Sequence, residues 1–374
     1  MIYLDSAATS LLKPASVERT VLRAMRTMGS PGRGGHAPAM LAADTVYACR
    51  EAAASLFHLQ EPSQAVFTMN ATHALNLAIR SLVKPGTRVL ISGFEHNAVT
   101  RPLHAVGAEL TIAGRKLFDP DDLLREWRAA LPGIEVAVCT AVSNVFGYVL
   151  PIDAVADLCH EAGVKLIVDA SQAAGILPID AQRINASFIA MPGHKGLMGP
   201  QGTGLLLCGE QGEPLMQGGS GSESLLQRMP EDLPEHLEAG THNVAGIAGL
   251  LEGIRYVSER GTASICAHER DLLNAAIGCL SGSGLELFTG AADTQSGVLS
   301  LRCPWMDSEE LAARLAERGV CVRAGLHCAP TAHESAGTLD TGTLRLSFSP
   351  FLTARELAAA CTVLLEESEK AKRI

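Results

Sequence analysis

Long basic tracts are absent from this 374-residue sequence, whose formal net charge at pH 7 is −10. Without such tracts, a surface for nucleic acid or for an anionic membrane is not indicated. No apolar run reaches the length of a membrane span, and Asp5 interrupts the short apolar stretch near the first residue. We therefore expect a cytoplasmic protein with neither nucleic acid nor a membrane among its partners.

Paired cysteine motifs are also missing. The ten cysteines are scattered without a C-x-x-C pair, and most stand inside apolar runs, as Cys139 does in IEVAVCTAV. A free thiol in such a run behaves as a small hydrophobic side chain. The pattern predicts neither a disulfide framework nor a metal site.

Two common nucleotide-binding motifs are missing as well. The sequence has no Gly-Lys dipeptide, which excludes a Walker A loop, and no G-x-G-x-x-G follows an early strand. Neither of these nucleotide-binding motifs therefore accounts for a ligand site in this chain.

What is present is an alternation of short apolar runs with helical patterns. The runs are QAVFTM, TRVLIS, IEVAVCTAV, KLIVDA, ASFIAM and GTGLLL, and helical stretches such as AVADLCHEAG separate them. This alternation predicts an α/β fold with a mostly parallel sheet. The pattern changes from about residue 260, which predicts a second, smaller α+β domain. We expect a large domain over 15–258 and a small domain formed by 1–14 and 259–374.

Ligands of open parallel sheets bind beyond the carboxyl ends of the strands, so the residues that follow each apolar run are candidate site residues. These are Asn70-Ala71-Thr72-His73, Glu95-His96-Asn97, Ser143-Asn144, Asp169 with Gln172, and His194-Lys195.

One lysine stands out among only seven in the chain. Lys195 follows an apolar run and lies among glycines, in MPGHKGLMGPQGTG, where backbone and ligand can approach closely. A lysine, a carboxylate and a helix N-terminus together suit pyridoxal 5'-phosphate (PLP). The lysine forms a Schiff base, the carboxylate pairs with the pyridinium nitrogen, and the helix start holds the phosphate.

Eight motifs, in order, resemble those of the class V aminotransferase family of PLP enzymes, in its cysteine desulfurase and selenocysteine lyase branch. They are YLDSAATS, NATHALNLA, EHNAVTRPL, SNVFGYVLPI, VDASQAAG, GHKGLMGPQGTG, EAGTHN and RAGLHCAP. The resemblance runs from residue 3 to about residue 350 and implies the type I fold of PLP-dependent transferases.

The resemblance implies a role for each site residue. Lys195 would be the Schiff-base lysine and proton shuttle, Asp169 the partner of the ring nitrogen, and His96 a catalytic residue stacked on the ring. Gln172 and Asn144 would contact the phenolic oxygen. The phosphate would be held by Ala71, Thr72, His194 and Thr241 of a neighbouring subunit. Arg345 would clamp the substrate carboxylate, with Asn144 and Arg33 as further substrate contacts.

Several of these residues have simpler interpretations. Asp169 could cap a turn, Thr72 could be a plain N-cap, and His96 a surface histidine. Arg345 could form an edge-strand ion pair, and Arg33 could be merely solvated. The chain also departs from the family pattern. Pro192 stands where many desulfurases have a phosphate-binding Ser or Thr, and His73 stands where Glu is common.

Cys328 is the predicted nucleophile. It lies in RAGLHCAP, outside an apolar run, so we expect it to be exposed, with Arg323 and His327 lowering its pKa. The resemblance implies that L-cysteine becomes L-alanine while Cys328 takes the sulfur as a persulfide, for transfer to a sulfur-acceptor protein. The alternatives are a selenocysteine lyase acting on L-selenocysteine, another relative of the family, and a non-catalytic PLP-binding sulfur-relay protein. The resemblance also implies a homodimer with shared sites.

Overall fold

A computed structural model describes residues 1–32, 34–221, 223–291 and 293–372. The strands are β1 (Ile2–Tyr3), β2 (Ala65–Thr68), β3 (Arg88–Ser92), β4 (Glu109–Ala113), β5 (Val136–Thr140), β6 (Lys165–Asp169), β7 (Phe188–Pro192), β8 (Gly204–Cys208), β9 (Glu286–Phe288), β10 (Val298–Arg302), β11 (Val320–Cys321), β12 (Arg323–Gly325) and β13 (Thr343–Ser347). The helices are α1 (Ala15–Thr27), α2 (Ala37–Phe57), α3 (Ala71–Leu82), α4 (Asn97–Val106), α5 (Pro120–Ala130), α6 (Ile152–Ala162), α7 (Ala181–Ile184), α8 (Val244–Arg260), α9 (Thr262–Leu280), α10 (Ser308–Glu317), α11 (Pro330–Ala336) and α12 (Ala354–Lys372).

Seven strands form the main sheet in the order β2-β8-β7-β6-β5-β3-β4. Strands β3 to β7 pair in parallel, whereas β8 runs antiparallel to both β7 and β2. The central strands β5 and β7 are buried along their whole length, as expected where helices cover both faces of a sheet. The predicted α/β class with a mostly parallel sheet is confirmed.

One strand of this sheet was absent from the sequence prediction. The edge strand β4, with the sequence ELTIA, exposes its first three residues to solvent. An edge strand lacks the continuous apolar run by which the buried strands are found. It pairs with β3 in parallel register, Arg88 opposite Glu109.

A second, antiparallel sheet has the order β12-β13-β10-β9, and β1 pairs with β11 beside it. A separate apolar cluster includes Leu4 together with buried side chains between Leu272 and Leu364. Leu4 thus packs with the C-terminal part of the chain although it stands near the other end of the sequence. The division into domains at residues 15 and 258 stays a prediction.

The fold places two kinds of segment near the carboxyl edge of the main sheet. The turns after its parallel strands come from the part of the chain between β3 and β8, and the segment between β12 and α11 comes from the C-terminal part. Ala329 of that segment and Ala332 of α11 belong to the apolar cluster that also contains buried side chains of β5 and β6. In the part of the chain that the structure describes, no helix has the length and apolar character needed to cross a membrane.

Candidate active site

A cavity of about 170 Å³ opens at the carboxyl ends of β2, β5, β6 and β7. Eight predicted site residues line it: Ala71, Thr72, His96, Asn144, Asp169, Gln172, His194 and Lys195. These residues are separated by up to 124 positions in sequence (195 − 71). They meet because the carboxyl ends of parallel strands lie at the same edge of a sheet.

Glycines shape the turn that carries Lys195. A Cβ added to Gly193 would lie 2.1 Å from Thr203 Oγ1, and one added to Gly196 would lie 2.3 Å from the Ala174 carbonyl oxygen. Real Cβ atoms do not approach other atoms so closely, so no larger residue fits at Gly196 without moving the backbone of the neighbouring turn. The glycines around the lysine therefore allow the chain to fold tightly at the end of β7.

The amine of Lys195 is suited to covalent chemistry. Burial lowers its pKa to about 8, and the nearby positive charge of Arg345 acts in the same direction, while the Asp169 carboxylate opposes them. A lysine with a pKa near neutrality has a substantial fraction of neutral, nucleophilic amine.

Asp169 is the last residue of β6 and is 2% exposed. Its Oδ1 accepts hydrogen bonds from the backbone N–H and the hydroxyl of Ser171. A buried carboxylate at the cavity wall can pair with a protonated ring nitrogen of a ligand. The Asp169–Ser171 contact fixes the carboxyl group, and this role of Ser171 was not foreseen from the sequence.

His96 caps helix α4. Its Nδ1 accepts a hydrogen bond of 3.0 Å from the Ala98 backbone N–H, and burial lowers its pKa. The ring is therefore neutral and held by one nitrogen while it lines the cavity. Such a fixed, uncharged ring is able to stack on a flat ligand.

The N-terminus of α3 forms an anion-binding corner of the cavity. Asn70 is the N-cap, since its Oδ1 accepts from the His73 N–H, so Thr72 is not the cap. The N–H groups of Ala71 and Thr72 are the first two of the helix and lack intrahelical acceptors. A helix start of this kind attracts a phosphate.

His194 directly precedes Lys195 in the sequence and also lines the cavity. Its Nδ1 lies 3.0 Å from Thr9 Oγ1, and burial lowers its pKa to about 4, so the ring is neutral. Pro192 also lines the cavity, whereas His73 lines a different one. His73 is therefore not placed to contact a ligand of this cavity in the same chain.

The two predicted amide side chains make contacts that tie distant segments to the site. Gln172 Nε2 donates to the Ala7 carbonyl oxygen at 3.0 Å, and Asn144 Nδ2 donates to the His327 carbonyl oxygen at 2.8 Å. Asn144 therefore links the end of β5 to the loop that carries the predicted nucleophile.

Cys328 lies in that loop, between β12 and α11, and is exposed. Its carbonyl oxygen accepts from the Asn97 N–H at 2.7 Å, which fixes the cysteine beside the start of α4. His327 and Cys328 both have positive φ, 49° and 56°, a left-handed conformation that costs non-glycine residues energy. The anchored backbone therefore holds the thiol on a constrained turn near the cavity, although Cys328 is not among the described residues that line it.

Cys328 is exposed as expected, and Cys279 in α9 is exposed too. One expectation about Cys328 needs correction. His327 cannot supply positive charge to the thiol, because burial and the nearby Arg345 lower its pKa to about 2. The sequence places His327 next to Cys328, but it could not show that the imidazole points into the protein interior.

Arg345 is 2% exposed and stands in the middle of β13. It donates from Nη2 to Asp5 Oδ1 at 2.8 Å and from Nη1 to the Asn144 carbonyl oxygen at 2.9 Å. It is not among the described residues that line the cavity, but it is close enough to influence the pKa of Lys195. Asp5 was not among the predicted site residues, although it belongs to the YLDSAATS motif.

One further predicted residue, Thr241, is not brought to this cavity. Thr241 is exposed and lines two other cavities, one of them shared with Arg50, Glu238 and His242. Arg33 lies outside the described residues. A contact of Thr241 with the site could come only from a second copy of the chain.

The residues of the cavity fit PLP. Among the described residues, no hydrogen bond reaches Asp169 Oδ2, the first N–H groups of α3 have no intrahelical acceptor, and the Lys195 amine has a pKa of about 8. These three features suit a pyridinium nitrogen, a phosphate and an aldehyde carbon respectively.

Comparison with known proteins gives consistent results. A protein from Methanothermobacter thermautotrophicus named probable cysteine desulfurase is 31% identical over 372 residues, which cover 95% of this chain and 92% of that protein. One from Mycolicibacterium paratuberculosis with the same name is 30% identical, over 96% of this chain but only 54% of that longer protein. The solved structure titled as apo cysteine desulfurase from Thermococcus onnurineus NA1 has a TM-score of 0.90 at 26% identity and covers 100% of this chain and 95% of that one.

The sequence pattern described as Aminotransferase class-V matches residues 2–359, nearly the whole chain. The resemblance inferred from the eight motifs is thereby confirmed: this chain belongs to the class V aminotransferase family.

Proposed function

We propose that this protein is a PLP-dependent cysteine desulfurase that converts L-cysteine to L-alanine and takes the sulfur onto Cys328 as a persulfide. The observation that carries the proposal is the fixed position of an exposed cysteine beside a cavity that contains a lysine of lowered pKa and a buried carboxylate. The relatives named as desulfurases support the same reaction class.

Five residues of the cavity would hold the cofactor. Lys195 would bind it covalently, Asp169 would hold a proton on the ring nitrogen, and His96 would stack on the ring. The N–H groups of Ala71 and Thr72 would hold the phosphate. When bound, PLP supplies an electron sink that stabilises negative charge at the substrate Cα.

The proton at the substrate Cα is moved by Lys195. An amine with a pKa of about 8 can accept this proton and return it near neutral pH, because neither protonation state is strongly favoured. Gln172 and Asn144, which also line the cavity, would contact the phenolic oxygen of the cofactor.

The sulfur is taken by Cys328. Its thiolate attacks the substrate sulfur, so that an S–S bond forms as the C–S bond of the substrate breaks. One thiol and one L-cysteine become one persulfide and one L-alanine, and no outside oxidant is required. Arg345 would bind the substrate carboxylate by a bidentate contact.

The test measures L-alanine and sulfide from L-cysteine, with a reductant to release the sulfur. Cys328→Ser should abolish sulfide release while the cofactor absorbance is kept. Cys279→Ser, which removes the other exposed thiol, should retain full activity. Full desulfurase activity in Cys328→Ser would overturn the persulfide step, and its loss with cysteine but not with selenocysteine would instead indicate a selenocysteine lyase.

Covalent attachment to Lys195 is tested separately. The purified protein should be yellow, and borohydride should fix PLP on the peptide that contains Lys195. Label on Lys165, which opens β6 at the far end from Asp169, or the absence of any cofactor would contradict the proposal.

The protein would act as a homodimer with shared sites. Several large apolar side chains of α1 and α2 are exposed in the single chain, among them Met25 at 72% and Tyr47 at 56%. Such a surface suits contact with a second copy. In the dimer, Thr241 would reach the phosphate of the partner's cavity, and Arg33 would contact the substrate.

Subunit exchange tests this arrangement. A Lys195→Ala chain and a Thr241→Val chain, each inactive alone, should regain activity on mixing, because one site of the mixed dimer has both residues intact. No recovery after demonstrated exchange would show that the sites are not shared.

Sulfur would pass from Cys328 to an acceptor protein, and the enzyme would work in the cytoplasm. The ten cysteines are all free in the structure, which suits a reducing compartment. Turnover without an acceptor or reductant should be slow, and fractionation should place the protein with soluble cytoplasmic enzymes.

A further inference from the structure

Two arginines face each other across adjacent strands of the small sheet. Arg323 of β12 and Arg345 of β13 are directly paired in the antiparallel register. Like charges at such positions repel each other. The side chain that lies between them therefore influences the orientation of both guanidinium groups.

That side chain is Asp5. Its Oδ1 accepts from Arg345 Nη2 at 2.8 Å, and its Oδ2 accepts from Arg323 Nε at 3.3 Å. The carboxylate thus contacts both arginines, with one oxygen each, and the three groups together carry one net positive charge.

The backbone around Asp5 is fixed. Asp5 forms a parallel bridge with Ser347, two residues beyond Arg345 on the same strand. The Ser347 N–H donates to the Leu4 carbonyl oxygen at 2.8 Å, and the Ala7 N–H donates to Ser347 Oγ at 2.9 Å. The backbone that carries the Asp5 carboxylate is therefore held beside β13, close to Arg345.

Asp5 engages only part of the guanidinium. Nη2 donates to Asp5 and Nη1 to the Asn144 carbonyl oxygen, while Arg345 Nε is buried and has no partner among the described residues. A buried donor without an acceptor costs free energy that an incoming acceptor can recover. A substrate carboxylate that contacts Arg345 would supply the acceptor that Nε lacks.

We propose that Asp5 is a positioning residue, which holds Arg345 in the orientation that binds the carboxylate of the amino acid substrate. The proposal rests on the proposed function, since it takes the substrate to be an amino acid bound by Arg345. Asp5 itself touches neither substrate nor cofactor.

Asp5→Asn removes the charge and keeps the size of the side chain. Arg345 would then lack a charged partner and would be repelled by Arg323, so its guanidinium would lose the fixed orientation. The KM for L-cysteine should rise about tenfold with little change in kcat, as expected when one charge-assisted contact is lost.

Two ligands separate positioning from general damage. L-serine keeps the carboxylate and amine of the substrate without the thiol, and cysteamine keeps the amine and thiol without the carboxylate. Titration of the cofactor absorbance should give about tenfold weaker binding of L-serine to Asp5→Asn but unchanged binding of cysteamine. Asp157→Asn, which removes a carboxylate paired with Arg183 on the exposed face of α6, should leave both unchanged.

Three results would overturn the proposal. Tighter binding of L-serine would show that Asp5 competes with the substrate carboxylate; equal binding would show that Asp5 has no effect on it; equal weakening of both ligands would show general damage. Where Asp5→Asn does not fold, Asp5→Glu is measured in the same way, and the selective weakening of L-serine is again required. Failure of the wild-type protein to form L-alanine would refute the desulfurase function, whereas the L-serine titration would still test Asp5.

Discussion

The buried carboxylate of Glu238 offers a quantitative test of what stabilises this fold. It is 7% exposed and accepts hydrogen bonds from both terminal nitrogens of Arg50, from the Phe67 N–H at 2.6 Å and from His242 Nε2 at 2.6 Å. Arg50 also lies over the ring of Phe67, 4.4 Å from its centroid. Glu238 therefore joins α2 and β2 to the segment before α8.

Glu238→Gln removes the charge and turns one acceptor into a donor that faces Arg50. Loss of one partner of a buried ion pair costs about 3–5 kcal/mol, because the other charge remains buried without compensation. With an unfolding entropy of about 2.1 cal/mol/K per residue, 374 residues give about 0.8 kcal/mol/K. The melting temperature should therefore fall by roughly 4–6 °C.

Calorimetry on the wild-type and variant proteins measures this shift. Glu213→Gln is the matched control, since Glu213 pairs with Lys84 at the surface and its side chain is 64% exposed. Such pairs contribute about 0–1 kcal/mol, so the control should melt within roughly 1 °C of the wild type. If Glu238→Gln melts as high as the control, the stabilising role inferred for the buried pair is wrong.

The pH dependence of this difference has a definite sign. Burial alone would raise the pKa of Glu238, but Arg50 and the hydrogen bond from His242 outweigh burial and lower it. A carboxyl group whose pKa is lower in the folded chain stabilises the fold above its unfolded pKa and loses that contribution as the pH falls through the folded value. The difference between wild type and Glu238→Gln should therefore shrink in acid.

Two further predictions concern Lys195 and its turn. The rate at which the apoprotein binds PLP should rise with pH through about 8, as the Lys195 amine loses its proton. Asp169→Asn should move the midpoint of this rise to lower pH, because the Asp169 carboxylate raises the pKa of Lys195. An unchanged midpoint would contradict that coupling. Gly196→Ala should lose PLP absorbance or fail to fold, since its Cβ would lie 2.3 Å from the Ala174 carbonyl oxygen. Gly278→Ala, at an open position in α9, should instead stabilise the protein by about 0.5–1 kcal/mol, and equal effects of the two changes would refute the steric argument.

Much of the candidate site could be predicted because strand ends in a parallel sheet converge on one edge. Asp169 ends β6 and Lys195 follows β7, two strands whose apolar runs are plain in the sequence. Thr241 shows the limit of such reasoning. Its motif indicates a site residue, but the structure of one chain places it away from the cavity, so the role proposed for it requires a second copy.

The surroundings of the site residues were harder to predict from the sequence than their places at the strand ends. His327 stands beside Cys328 in sequence, which suggested a charged neighbour, yet burial keeps its imidazole neutral. The pKa of a side chain depends on how far it is removed from water and on charges from other segments, and neither is visible in a local motif.

By itself, the sequence determined the α/β class, the order of the motifs and the residues at the strand ends, because hydrophobic periodicity and turn chemistry are local properties. Only the tertiary structure decided the lowered pKa of Lys195 and the contact between Asp5 and Arg345, which are 340 positions apart. Desolvation and distance depend on how the whole chain packs. For this reason only the folded chain, in which its two ends lie side by side, shows that the Asp5 carboxylate contacts Arg345.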